Sequence, residues 1–166
     1  MKRALTAFTA VAATLVLGGC ASPTTQRYHP LGSNVAALRS IGASGVGIGA
    51  FTGGDGFNAT CRGVGKVDAA GISHPEYIRR AFEEEFLTSG AGSISAPRVV
   101  LTGVIEELSF STSVNIVDGY WAIRVTLNSS NGSRMTRSVR PEFAAGFEGG
   151  GACRNAADAF LRAVQD

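Results

Sequence analysis

The beginning of this chain constrains it most. Lys2 and Arg3 precede an uncharged apolar run, Ala4 to Leu17, which ends in Gly18, Gly19 and Cys20. A basic start, a short apolar stretch and small residues at its end are the parts of an export signal. The run is shorter than the ~20 apolar residues that a membrane span needs. The remainder of the chain is expected to fold outside the cytoplasm, where thiols oxidise. Removing nineteen of the 166 residues leaves 147, enough for one domain and tight for two. Two of the fifteen Lys and Arg residues leave with the signal, so thirteen cations face thirteen acids and the remaining chain is formally neutral. A neutral chain without a basic block is a poor match for nucleic acid.

The segment Leu17-Gly18-Gly19-Cys20 resembles a lipobox. The resemblance implies a diacylated thioether at Cys20, cleavage before it, and acylation of the new amine. Each buried methylene adds ~0.8 kcal/mol, so two or three acyl chains hold a protein at a membrane where one holds it marginally. Ala21 and Ser22 come directly after the cysteine. The missing Asp at the first of these positions resembles outer-membrane sorting, with the domain facing the periplasm. The other reading is an ordinary secretory signal with Cys20 a plain cysteine. Once Cys20 is lipidated, Cys61 and Cys153 remain. The compartment and the even count favour one disulfide over two free thiols. A loop of that length would restrict the unfolded chain by about 4 to 5 kcal/mol in the loop-entropy account.

Residues 1–19 are thus read as signal peptide, 20–40 as lipidated N-terminus and flexible tether, and 41–166 as a single domain. Pro23, Pro30, Gly32 and Ser33 argue for the tether. Ser44 to Phe51 alternates glycine with Val46, Ile48 and Ala50, which predicts a strand whose glycine face meets another backbone or a bulge. Its spacing fits neither GxGxxG nor a P-loop. Thr60 to Val64 reads as a short strand carrying Cys61. Ser73 and Glu76 form an S-x-x-E capping box, and Ile78, Ala81, Phe82 and Phe86 make one apolar stripe, so a helix runs from Ser73 to Gly90. Glu83, Glu84 and Glu85 point in different directions and read as a solvated face.

Val99 to Phe110 is a strand whose two apolar sets change face, which predicts a bulge near Glu106-Glu107. Tyr120 to Asn128 alternates cleanly, with Trp121, Ile123, Val125 and Leu127 inward. A three-residue loop, Ser130-Asn131-Gly132, pairs Leu127 with Met135 and Ile123 with Val139, and a two-residue turn would mix the faces. The outer face then carries Tyr120, Arg124, Thr126, Arg134, Thr136, Ser138 and Arg140. A closing helix from about Ala152 puts Cys153 on its packed side. The expected fold is α+β: an antiparallel sheet of about four strands with two helices on one face, in the order β-α-β-β-β-α.

The last third resembles the YajG-type lipoprotein family. The matching residues are Gly119-Tyr120-Trp121, the run Asn131-Gly132-Ser133-Arg134-Met135-Thr136-Arg137, the pairs Glu142-Phe143 and Gly146-Phe147, and Asn155-Ala156-Ala157-Asp158-Ala159. The resemblance implies a cell-envelope lipoprotein without established enzymatic activity and supplies no catalytic residues. The two mature cysteines fall outside its pattern.

The inventory argues against an enzyme. His74 sits beside a helix cap and His29 in the tether, and H-E-x-x-H, G-x-S-x-G and Cys/His metal spacings are missing. No catalytic residue, cofactor or metal ligand is expected. Three roles remain open: a non-enzymatic lipoprotein binding an envelope protein, an accessory or activator lipoprotein of a cell-wall synthase, and a small-ligand or glycan-binding module. The first would use Tyr120, Arg124, Arg134 and Arg140, which equally fit a solvated surface. The third lacks an aromatic platform, because Tyr120 and Trp121 face opposite ways.

Overall fold

A computed structural model describes residues 22–166; the signal and Cys20 lie outside the described residues. The chain runs α1 (Gly32–Ser40), β1 (Val46–Gly53), β2 (Thr60–Cys61), β3 (Gly65–Lys66), α2 (His74–Ser89), β4 (Val99–Val114), β5 (Asp118–Ser129), β6 (Arg134–Val139), β7 (Glu142–Ala144) and α3 (Gly149–Gln165). The architecture is α+β, with a main sheet in the order β1-β4-β5-β6, β7 added to the start of β5, and β2-β3 apart.

The main sheet has five strands rather than about four. The element order is α-β-β-β-α-β-β-β-β-α rather than β-α-β-β-β-α, because β7 and the β2-β3 pair are too short to carry a periodic signal. Two further features differ from the expected all-antiparallel, two-helix arrangement. The sheet is mixed, because β1 pairs with β4 in parallel. The chain leaves β1 at one end of the sheet, and α2, packed against β1, carries it back to the other end. The next strand must then run the same way as β1, as in any strand-helix-strand unit. The third helix, α1, lies in the stretch read as tether. That stretch is docked: Thr25 donates its backbone N–H to Asp68 (2.8 Å) and Asp68 donates to Pro23 (2.9 Å). Tyr28 is buried, with its hydroxyl donating to the Glu85 carboxylate at 2.6 Å. Proline and serine content suggested a spacer, but one buried tyrosine and one distant carboxylate outweigh a local compositional bias.

The rest of the sheet matches the sequence pattern closely. The register of β4 on β5 shifts between Ile105 and Glu107, leaving Glu106 as the extra residue. Ile105 before the bulge and Leu108 after it are both buried. The hairpin pairs Leu127 with Met135 and Ile123 with Val139. Gly132 takes φ +91, where a Cβ would be strained. The glycine face of β1 meets other chain: a Cβ on Gly47 would sit 2.7 Å from Pro97.

α2 starts at Ser73, whose Oγ accepts from the Glu76 amide at 3.2 Å, and stops at Gly90 with φ +81. α3 starts earlier than expected, because the Glu148 carboxylate accepts from the Gly150 and Gly151 amides at 2.9 and 2.6 Å. That carboxylate is held below its ordinary pKa by these amides first. Between helices and sheet sits an aromatic core. Trp121 is fully buried, stacks on Phe110 at 4.7 Å, lies 4.5 Å from Phe160, and donates its indole N–H to the Ala156 carbonyl at 2.9 Å. Cys61 and Cys153 lie at bonding distance, 2.03 Å, tying the β2-β3 turn to α3.

Candidate functional site

The outer face of the sheet gathers the residues expected to form an interaction face, and their charges are already engaged. Arg124 lies 3.3 Å from Glu107 and donates to Ser138 Oγ at 3.0 Å. Arg134 lies 3.9 Å from Glu106. The Arg140 guanidinium sits 3.7 Å from the centre of the Tyr120 ring. Thr126 is buried beneath this layer, donating to Glu106 at 2.6 Å with Thr136 at the same distance. The sheet thus brings Tyr120, Arg124, Arg134 and Arg140 onto one face, each with an intramolecular partner. Exposed pairs of this kind are worth little in stability.

The other face carries a more distinctive feature. Where the helices leave β5 and β6 uncovered, a groove of about 480 Å³ opens, floored by Val125 and Leu127 and walled by Leu38, Phe82, Phe86 and Val164. Met135 and Arg137 form its sheet-side rim. Met135 is 60% exposed. Arg137 stands opposite Val125 on the apolar face, and among the described residues no carboxylate lies within ion-pair distance of it. Sequence reasoning put the arginines of interest on the outer face and passed over Arg137. The signal was present: the register that pairs Leu127 with Met135 puts every second residue of β6 inward, Arg137 included.

β6 is also the edge of the sheet. Among the described residues it pairs only with β5. An edge strand carries unpaired backbone donors and acceptors, and arginines along it discourage indiscriminate pairing. A free edge beside an apolar groove is the geometry of strand addition, where backbone bonds supply affinity and alternate side chains enter pockets.

The far wall of the groove explains the acidic run on α2. Glu85 does not belong to a solvated face as its neighbours do: it is buried. Its Oε1 accepts from the Tyr28 hydroxyl, from the Leu31 amide at 2.9 Å and from Asn34 at 3.4 Å. It therefore caps α1 from across the structure. Burial, and then the Glu85 bond, push the Tyr28 phenol well above its ordinary pKa. Asn34 also donates to the Gln165 carbonyl at 2.8 Å, so α1, α2 and α3 meet at this end.

A second hollow, about 560 Å³, borders Gly53 and the start of α2 and includes Asp55, Ser73, His74 and Glu76. Two of its polar groups have structural occupations. Ser73 caps α2, and Glu76 is held by Arg79 at 2.8 Å and Arg80 at 2.7 Å. These arginines, Arg79 foremost, lower the Glu76 pKa to about 2. His74 is buried among Phe57, Phe160 and Trp121, at 4.6, 4.9 and 6.1 Å. Burial lowers its pKa to about 4. Among the described residues no three His, Cys, Asp or Glu side chains converge as metal ligands, and no helix is long and apolar enough to cross a membrane. A comparison with protein-family models and with curated proteins finds no match.

Proposed function

We propose that this protein is a non-enzymatic lipoprotein of YajG type, anchored through Cys20 to the outer membrane and facing the periplasm. Its groove end binds an extended segment of an envelope protein. The carrying observation is the groove beside β6, which pairs with β5 alone among the described residues, with Arg137 at its rim beyond ion-pair distance of any described carboxylate. The segment that fits adds a strand to β6, places alternate apolar side chains on Val125 and Leu127, and brings a carboxylate to Arg137. A second copy fits poorly. Two β6 strands paired antiparallel about Arg137 would set Arg134 against Arg140 and Arg137 against itself, and like charges directly opposite are destabilising.

The test is photo-crosslinking in intact cells, with the reactive group at Met135 or at outer-face Ser109. A discrete adduct from Met135 that disappears in Arg137→Glu is expected. An adduct from Ser109 alone, or one from Met135 that survives Arg137→Glu, removes this reading.

A further inference from the structure

Three turns meet at the end of the molecule opposite the groove. They are the β2-β3 turn with Arg62 and Val64, the β4-β5 turn with Ile116 and Val117, and the loop from β7 to α3 with Phe147. Arg62 ties them together. Its guanidinium donates to the Phe147 carbonyl at 2.9 Å, to the Ile116 carbonyl at 3.1 Å, and to the Thr112 carbonyl and hydroxyl. The Gly146 amide bonds the Val117 carbonyl at 2.8 Å. This scaffold holds a cluster of apolar side chains out of the core: Phe147 is 80% exposed, Ile116 66%, Val64 46% and Val117 44%. Single exposed apolar residues are ordinary, but a cluster is not.

The backbone here is unusual too. Arg62, Asn115 and Ile116 have φ of 43, 46 and 75. A β-branched residue at positive φ is an outlier, and such strain concentrates where function requires it. At Ile116 the chain accepts both a strained backbone and an exposed isoleucine.

Pro23, near the start of the described residues, also lies at this end. A Cβ on Gly65, the residue after Val64, would lie 3.9 Å from Pro23, and Pro23 bonds Asp68 just beyond β3. Cys20 precedes Ser22 by two residues, which span at most about 7 Å. We infer that the Arg62 tip is a membrane-contact surface, with Phe147, Ile116 and Val64 entering the lipid interface beside the acyl chains of Cys20. This rests on the lipid-anchor reading. Contact at the tip turns the groove, at the far end of β5, toward the periplasm. Attraction to anionic headgroups is not the driving force, because Glu148 lies next to Phe147 in the sequence and Arg62 is engaged internally. Apolar insertion is, to the ~5–10 Å depth usual for interfacial groups.

Trp121 is the only tryptophan and it is buried, which permits a direct test. Phe147→Trp and Met135→Trp are made in the full acylated protein and reconstituted into phosphatidylethanolamine–phosphatidylglycerol vesicles with brominated acyl chains. The residue-147 probe should lose several-fold more emission than the residue-135 probe, at low and high salt alike. Acylated protein in which the two probes are quenched equally would keep the anchor and overturn the tip. Quenching at residue 147 in protein that carries no acyl mass would keep the tip and overturn the anchor. A residue-147 probe unquenched by lipid but shifted to the blue as protein concentration rises would make the tip an interface between copies and end the lipid assignment.

Discussion

The two ends of this domain are built on different principles. At the tip end, Cys61–Cys153, the Arg62 bonds and the packing of Trp121, Phe110, Phe160 and Tyr77, with the His74 ring against Phe160, leave little freedom. At the groove end, Val125 and Leu127 lie under an opening, Met135 stands in solvent, and α1 is held by buried Val35 and by polar bonds to Glu85, Gln165, Thr88 and Ser89. One end is braced from within by aromatic, covalent and arginine contacts beneath its exposed turns, and the other leaves the floor of the sheet itself uncovered. Rigid packing supplies stability, whereas an uncovered apolar floor costs stability and has a use when something else covers it.

That contrast can be broken by experiment. Phe160→Ala should lower stability by about 3 to 5 kcal/mol, since a fully buried aromatic leaves a cavity. Urea unfolding measures it, and a loss below ~1 kcal/mol would mean the tip end is not the tight one. Reduction, or Cys153→Ala with Cys61→Ala, should cost about 2 to 5 kcal/mol in the same assay.

The His74 contribution has a defined sign. Its pKa falls from 6.5 to about 4 on folding because the ring is buried. Between those values the unfolded chain takes up a proton that the folded chain refuses. Stability from this residue is complete above pH 6.5, falls as the pH drops through the window, and levels off near 4. The folding constant should drop by up to about tenfold per pH unit inside the window. The difference between wild type and His74→Leu, tracked by denaturant midpoint against pH, isolates this slope. A difference flat from pH 7 to 4 would refute it.

Smaller effects belong to the groove end. Tyr28→Phe removes one bond to Glu85 and should cost about 1 to 2 kcal/mol, with faster amide exchange in Gly32–Ser40 than in β5. Met135→Ala should change stability by no more than ~0.5 kcal/mol while weakening capture of the proposed partner segment, read by co-purification of whatever crosslinks at residue 135. A larger loss of stability would show that Met135 packs in solution and that the groove is closed.

Much of the sheet was readable because period-two patterns report which side of a strand is buried, independent of distant contacts. The Glu106 bulge, the Gly132 loop and the inward side of Trp121 all came from alternation. Three features escaped. The parallel pairing of β1 with β4 depends on where α2 packs. α1 depends on Glu85, more than fifty residues away in the chain. The groove depends on how far the helices reach across the sheet, although the inward position of Arg137 was implicit in the hairpin register.

The sequence alone determined the local rules: which positions face inward, where helices cap, and where glycine is required. Each rests on interactions between residues a few positions apart, or on the composition of a single strand. Tertiary structure alone decided the direction of β1, the docking of the N-terminal segment, the convergence of three turns on Arg62, and the opening over Val125 and Leu127. Those outcomes are set by contacts between distant segments and by the space that packed helices leave, and neither quantity has a local signature in the chain.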